Sequence, residues 1–220
     1  MMRVMLLLAL VASGIGLVAV PADAQQRRMV QNETLQRQAV AAWTRCIADE
    51  NTEEVSALLL MDFTSEEYSE QIDDLSERRI SSSCFNALPR RYRRIELGGL
   101  PFAGGLAERL ITTQGNEPLL NRLAMASIGK EAQVFTYTDA VSNCVVRGAP
   151  HLAAGLFESS IASDEETALL EQIRSVFDVC TRGATPIEAG PLGVRSLLAT
   201  ASFRILAAQQ SPSEESEDDA

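Results

Sequence analysis

The sequence predicts a mainly α-helical protein: two tandem helical repeats forming one compact domain, with at most short strands. Three observations carry that expectation. Apolar residues recur at three- and four-residue spacing through most of the chain. Capping boxes open two of the helical runs, Thr64 with Glu67 and Ser163 with Glu166. And one order of features, cysteine, leucine, acidic helix start, cysteine and Ile-Glu-x-Gly-x-Leu, occurs twice.

Residues 1–24 read as a secretory signal peptide. Arg3 precedes an uncharged apolar run from Val4 to Val20, and Ala22-Asp23-Ala24 supplies an A-x-A cleavage site. The run approaches the length of a membrane anchor, but the small residues at its end favour cleavage near Ala24. The expected mature chain starts at Gln25 and is periplasmic or secreted. It is long enough for one sizeable core or two small ones.

The next segment, 25–45, is expected to be an N-terminal helix, because Leu35, Ala39, Ala42, Trp43 and Cys46 recur at helical spacing. The first repeat spans 46–111 and the second 144–208, joined by a connecting segment, 112–143. Cys46 and Cys84 match Cys144 and Cys180, Ser65-Glu66-Glu67 matches Ser163-Asp164-Glu165, and Ile95-Glu96-Leu97-Gly98 matches Ile187-Glu188-Ala189-Gly190. Downstream, Leu106-Ala107 falls on Leu198-Ala199. In the second copy Leu169, Leu170, Ile173, Val176, Phe177 and Cys180 make an uninterrupted stripe. The first copy carries Glu77-Arg78-Arg79 at the corresponding place, and its two extra residues predict a break there. Strand candidates are 93–97 and 133–138. Val134, Tyr137, Val141, Cys144 and Val145 also fit a helix, so each first cysteine is expected on an apolar face.

Residues 209–220 hold Glu214, Glu215, Glu217, Asp218 and Asp219 and no large apolar side chain, the composition of a disordered acidic tail. The formal net charge is −11, nearer −6 without that tail. An acidic chain is a poor candidate for nucleic acid, whose binding rests on neutralised phosphates.

Four cysteines outside any C-x-x-C spacing in an exported chain point to disulfides rather than zinc or redox work. Of three pairings, the repeat favours Cys46 with Cys84 and Cys144 with Cys180, one ancestral bridge copied twice. The alternative is four buried thiols. The glycine run Gly98-Gly99-Leu100-Pro101-Phe102-Ala103-Gly104-Gly105 suggests a phosphate loop. Its counterpart carries Pro191, which has no N–H to offer, and neither copy has P-loop or dinucleotide spacing. It reads as a turn into a helix.

No catalytic constellation emerges. His151 is the single histidine and falls near a helix start, a surface or capping position. No G-x-S-x-G elbow occurs. Glu66-Glu67 and Asp164-Glu165 sit at helix starts, where negative charge suits the helix dipole. Trp43 is expected in the core beside Cys46. The feature not shared between copies is Pro89-Arg90-Arg91-Tyr92-Arg93-Arg94. Arg90, Arg91, Tyr92, Arg93 and Arg94 could contact an anion or a partner, the alternative being a solvated loop.

Asn143-Cys144-Val145-Val146-Arg147, Ser163-Asp164-Glu165-Glu166-Thr167 and the spaced Cys180 resemble a group of uncharacterised secreted bacterial proteins with a duplicated Cys-Val-Val-Arg helix. The first repeat departs from it at Cys46-Ile47-Ala48-Asp49. The resemblance implies export and duplication and brings no activity. The expectation is an exported, non-catalytic binding or interaction module without a cofactor, its partner an envelope protein or an anionic envelope component. A periplasmic hydrolase-type enzyme is the alternative.

Overall fold

The computed structural model describes residues 32–93 and 95–210; the expected signal peptide, Arg94 and residues 211–220 lie outside them. Ten α-helices and a 3-10 turn occur among the described residues, and no strand. In chain order they are α1 (Glu33–Glu50), α2 (Thr52–Leu60), α3 (Glu66–Glu77), α4 (Ser82–Ala87), the 3-10 turn Arg90–Tyr92, α5 (Gly99–Thr113) and α6 (Leu119–Ser127). Then come α7 (Tyr137–Gly148), α8 (Pro150–Glu158), α9 (Asp164–Thr181) and α10 (Pro191–Gln210).

Both strand candidates fail. Residues 95–98 run without regular structure into α5, and 133–135 lead into the Thr136 cap of α7. Neither segment finds a neighbouring strand, and an unpaired strand leaves its backbone groups unsatisfied. The 45/46 and 143/144 boundaries fall inside α1 and α7. The connecting segment contains α6, and α10 runs two residues into the expected tail, to Gln210.

The helix bounds recur in register. Glu50 and Gly148, Thr52 and Pro150, Leu60 and Glu158, and Glu66 and Asp164 each stand 98 positions apart. In each half one residue, Asn51 or Ala149, separates the first helix from a nine-residue second helix. Ser65 and Ser163 cap the third helix through their hydroxyls, accepting from Tyr68 N–H and Glu166 N–H. The first cap is therefore Ser65 rather than Thr64, whose hydroxyl instead bonds Asp62. The third helix then differs: α9 is continuous, while its counterpart breaks between Glu77 and Ser82 into α3 and α4.

One main core runs through both halves and includes Ile47, Leu58, Leu59, Phe102, Leu106, Leu156, Ile173 and Leu198. Its axis is α10. Every residue from Val194 to Leu206 is buried, so this helix has no solvent stripe and no amphipathic pattern. It lies against α2, α5, α6, α7 and α8, most extensively against α5.

Glycine sets that contact. A Cβ on Gly104 would overlap Cα and Cβ of Ser196, and one on Gly105 would meet Thr44 Oγ1 of α1 at 2.5 Å. The helix α5 begins at Gly99, whose φ is +54°, so the run splits in function. Gly98-Gly99 forms the turn, and Gly104-Gly105 lets three helices approach. The register that sets Leu106 on Leu198 sets Gly104 on Ser196, so α5 and α10 cross at counterpart residues.

The disulfides join Cys46 to Cys84 and Cys144 to Cys180, with Cα–Cα separations of 6.0 and 5.9 Å. Cys46 is buried, as expected. Cys144 instead faces solvent, because the apolar face of α7 turns Val141, Val145 and Val146 inward. Each bridge ties the first helix of its half to the end of the third.

Replacing Gly104 with alanine should lower unfolding stability by about 1–3 kcal/mol in urea denaturation, despite alanine's better helix propensity, because the backbones must separate. Gly148→Ala is the control: its added Cβ meets nothing within 4 Å, and stability should hold or rise slightly. Removing the first bridge as Cys46→Ser with Cys84→Ser should cost up to about 4 kcal/mol in the same assay.

Candidate functional site

The buried stretch of α10 carries two arginines, Arg195 and Arg204, and each meets a carboxylate at the third position of another helix. Their surroundings differ. One arginine closes a space and the other floors an open one.

Around Arg195 the charges are densely paired. Its Nε and Nη2 donate to Glu108 at 2.8 and 2.7 Å, a bidentate pair, and its Nη1 donates to Glu166 Oε1 at 2.7 Å. Arg37 of α1 donates to the same Glu166 oxygen, while Glu166 Oε2 accepts from Ala162 N–H at 2.7 Å. Glu166 is 1% exposed, so two cations and two anions bridge α1, α5, α9 and α10 with little water. Burial alone would push the Glu166 carboxyl up; hydrogen bonds from Arg37, Ala162 and Arg195 outweigh it and hold the group below the usual carboxylate range.

Around Arg204 the same architecture leaves a cleft of about 530 Å³. Phe63, Tyr68, Ile72, Leu100, Ala103 and Leu197 supply much of its wall, with Thr138, Asp139 and Thr200 as polar neighbours. The register explains the contrast. At counterpart positions, Ala103 and Tyr68 of the first half stand for Arg195 and Glu166 of the second, and Thr200 of the second stands for Glu108 of the first. Around Arg204 small or hydroxylic side chains thus stand at the positions that hold the charged network around Arg195.

Arg204 is 6% exposed. Its Nε donates to Leu59 O at 3.0 Å and its Nη1 to Asp139 Oδ1 at 3.1 Å. Its guanidinium lies 5.0 and 5.2 Å from the centroids of the Phe63 and Phe135 rings. Asp139 Oδ2 accepts from Phe135 N–H at 3.1 Å. Burial pushes the Tyr68 phenol above its ordinary value, against the opposing charge of Arg204, so it remains a neutral donor at neutral pH.

The arginine run lies elsewhere. Arg90 and Arg91 are exposed, with Arg91 over the Tyr92 ring. Tyr92 is buried, donating its hydroxyl to Gln38 Oε1 at 2.8 Å. Arg93 donates to Leu88 O and Asn86 O, closing the end of α4, and covers the Phe85 ring at 4.8 Å. Arg94 lies outside the described residues. Only Arg90 and Arg91 are thus placed as exposed cations.

Trp43 is half-buried rather than in the main core. It packs edge-on against Phe85, donates Nε1–H to Tyr92 O, and lines a shallow pocket with Ile80, Ile95 and Leu97. His151 is exposed at the start of α8. Glu66, Glu67, Asp164 and Glu165 are exposed first-turn residues. No group of three or more His, Cys, Asp or Glu among the described residues could hold a metal ion, and no described helix is long and apolar enough to cross a membrane.

The spacing of apolar residues gave no sign of Arg37, Glu108, Asp139, Glu166, Arg195 or Arg204 as a group. One signal existed: arginine at 195 and 204 flanks a run of small and apolar residues that has no polar face. Comparisons of the chain with protein-family models, curated proteins and solved structures found no match.

Glu166→Gln should cost about 3–5 kcal/mol, since two buried arginines then share one carboxylate. Because the Glu166 carboxyl is held below its unfolded value, near 4.3, its stabilising contribution is complete above that pH and is lost as pH falls through the folded value. Urea unfolding across acidic pH should show this loss in the parent and a shallower dependence in the variant.

Proposed function

We propose that this is an exported, non-catalytic binding module of the envelope, descended from two copies of one helical unit, and that its ligand lies in the Arg204 cleft. The single observation that carries the reading is the contrast between counterpart places. Where one half fills the space with Arg195 and its carboxylates, the other leaves an apolar-walled opening over a buried arginine.

Several features support it. The cleft draws on α3 and α5 of the first half, Thr136–Asp139 and α10 of the second, so it lies where two copies meet. Its volume falls within the few hundred to about 1,000 Å³ usual for small-molecule sites. Its wall is mostly apolar with a few convergent polar groups. Two disulfides suit an oxidising compartment, in keeping with the leader read in residues 1–24.

A neutral apolar fluorophore, N-phenylnaphthylamine, should bind with enhanced emission. Ala103→Leu projects a larger side chain into the cleft and should weaken that binding about tenfold or more while the protein still unfolds cooperatively. No enhancement in the parent, or equal binding by a folded Ala103→Leu variant, would remove the cleft as the site.

A further inference from the structure

The cleft holds more donors than acceptors ready for a ligand. Arg204 uses Nε and Nη1 on Leu59 and Asp139, and its Nη2 makes no hydrogen bond among the described residues. The hydroxyls of Tyr68 and Thr138, both lining the cleft, make none either. A nearly buried guanidinium with an unused edge, in a lining that also holds two unpaired hydroxyls, calls for an acceptor.

Charge decides which acceptor. Asp139 already balances Arg204, and its second oxygen is occupied by Phe135 N–H. Asp73 is the remaining charged residue of the lining, and it is exposed. The lining therefore sums to about one negative charge within a chain whose formal net charge is −11. A carboxylate head would place a second anion beside Asp139 where little water screens it. An ammonium head would leave Arg204 Nη2 unsatisfied and bring a cation against it. A carbonyl oxygen carries no net charge and accepts more than one hydrogen bond.

From this we infer that the cleft takes the acyl portion of a neutral ester or amide, the carbonyl oxygen on Arg204 and the hydroxyls, the hydrocarbon body against Ile72, Leu100 and Leu197. The inference rests on the reading of the cleft as the ligand site. It names the ligand's chemistry.

The test uses the full mature chain and three probes that share one hydrocarbon length: N-methyloctanamide, octanoate and octylamine, each measured by displacement of N-phenylnaphthylamine and by calorimetry. The amide should bind about tenfold tighter than either charged probe, the scale of one or two satisfied hydrogen bonds. Tyr68→Phe should reduce amide affinity severalfold, leave the fluorophore's binding unchanged and preserve thermal unfolding. Equal affinity for the three heads, or a preference for octanoate or octylamine, overturns the acyl inference while leaving the cleft a binding site. Failure of all three probes and of the fluorophore overturns the cleft reading itself.

Discussion

The contact between α5 and α10 at Gly104 and Ser196 is the constraint on which the rest of this structure depends. With no side chain on Gly104, the two helix backbones approach more closely than any larger residue permits. Gly105 allows α1 to close on the other side, against Thr44. So short a separation puts α10 at the centre, with neighbours on every side from Val194 to Leu206. Such a helix needs small residues where backbones meet, and Ser196, Ala199, Thr200, Ala201 and Ser202 provide them. The hydroxyl of Thr200 folds back onto the carbonyls of Ser196 and Leu197, hiding its polarity within the helix.

Centrality has an electrostatic consequence. An arginine on a helix with no wet face cannot send its guanidinium to bulk water, so each must find its counter-charge inside. Both do so at the same kind of place. Glu166 and Asp139 each stand three residues past a hydroxyl N-cap, Ser163 or Thr136, and each accepts a backbone N–H just before that cap. Each carboxylate is oriented by its own helix start as well as by its arginine, which limits the entropy lost on pairing. The network also ties α10 to the first turns of α7 and α9, elements whose bridge at Cys144 and Cys180 already fixes them to each other.

How much of this was legible in the sequence follows from the range of each signal. Local chemistry was readable: the Ser163 cap, the uninterrupted stripe of α9, the break after Glu77 and the paired spacing of the cysteines all depend on residues near one another in the chain. The errors were of the same reach. Thr64 and Ser65 are both competent caps, and with the Thr64 hydroxyl bonded to Asp62 it is Ser65 that caps α3. The strand candidates were β-prone in composition, yet a strand needs a partner that the surrounding helices do not supply. The helix α6 was absorbed into a connecting segment because Leu119, Leu123 and Ala126 form too short a stripe to stand out. The buried ion pairs were illegible for a different reason. Arg37 and Glu166 are 129 positions apart, and Arg195 and Glu108 are 87 apart, so no periodicity links them.

On the proposed duplication, the contrast between Ala103 and Arg195 is how two like halves would come to present unlike surfaces. Filling a pocket with an arginine requires carboxylates within reach, and Arg195 has two, Glu166 on α9 of its own half and Glu108 on α5 of the first half. Placing alanine at the counterpart position removes the need for either, so Tyr68 and Thr200 can stand there at no electrostatic cost. The space this opens is bounded by Arg204, which bonds Asp139 and lies against two phenylalanine rings. On the proposed reading these contacts would matter, because a donor held by its neighbours loses little conformational freedom on binding. The charges around Arg195 thus tie four helices together, whereas those around Arg204 border an open cleft that, on the proposed reading, would receive a ligand.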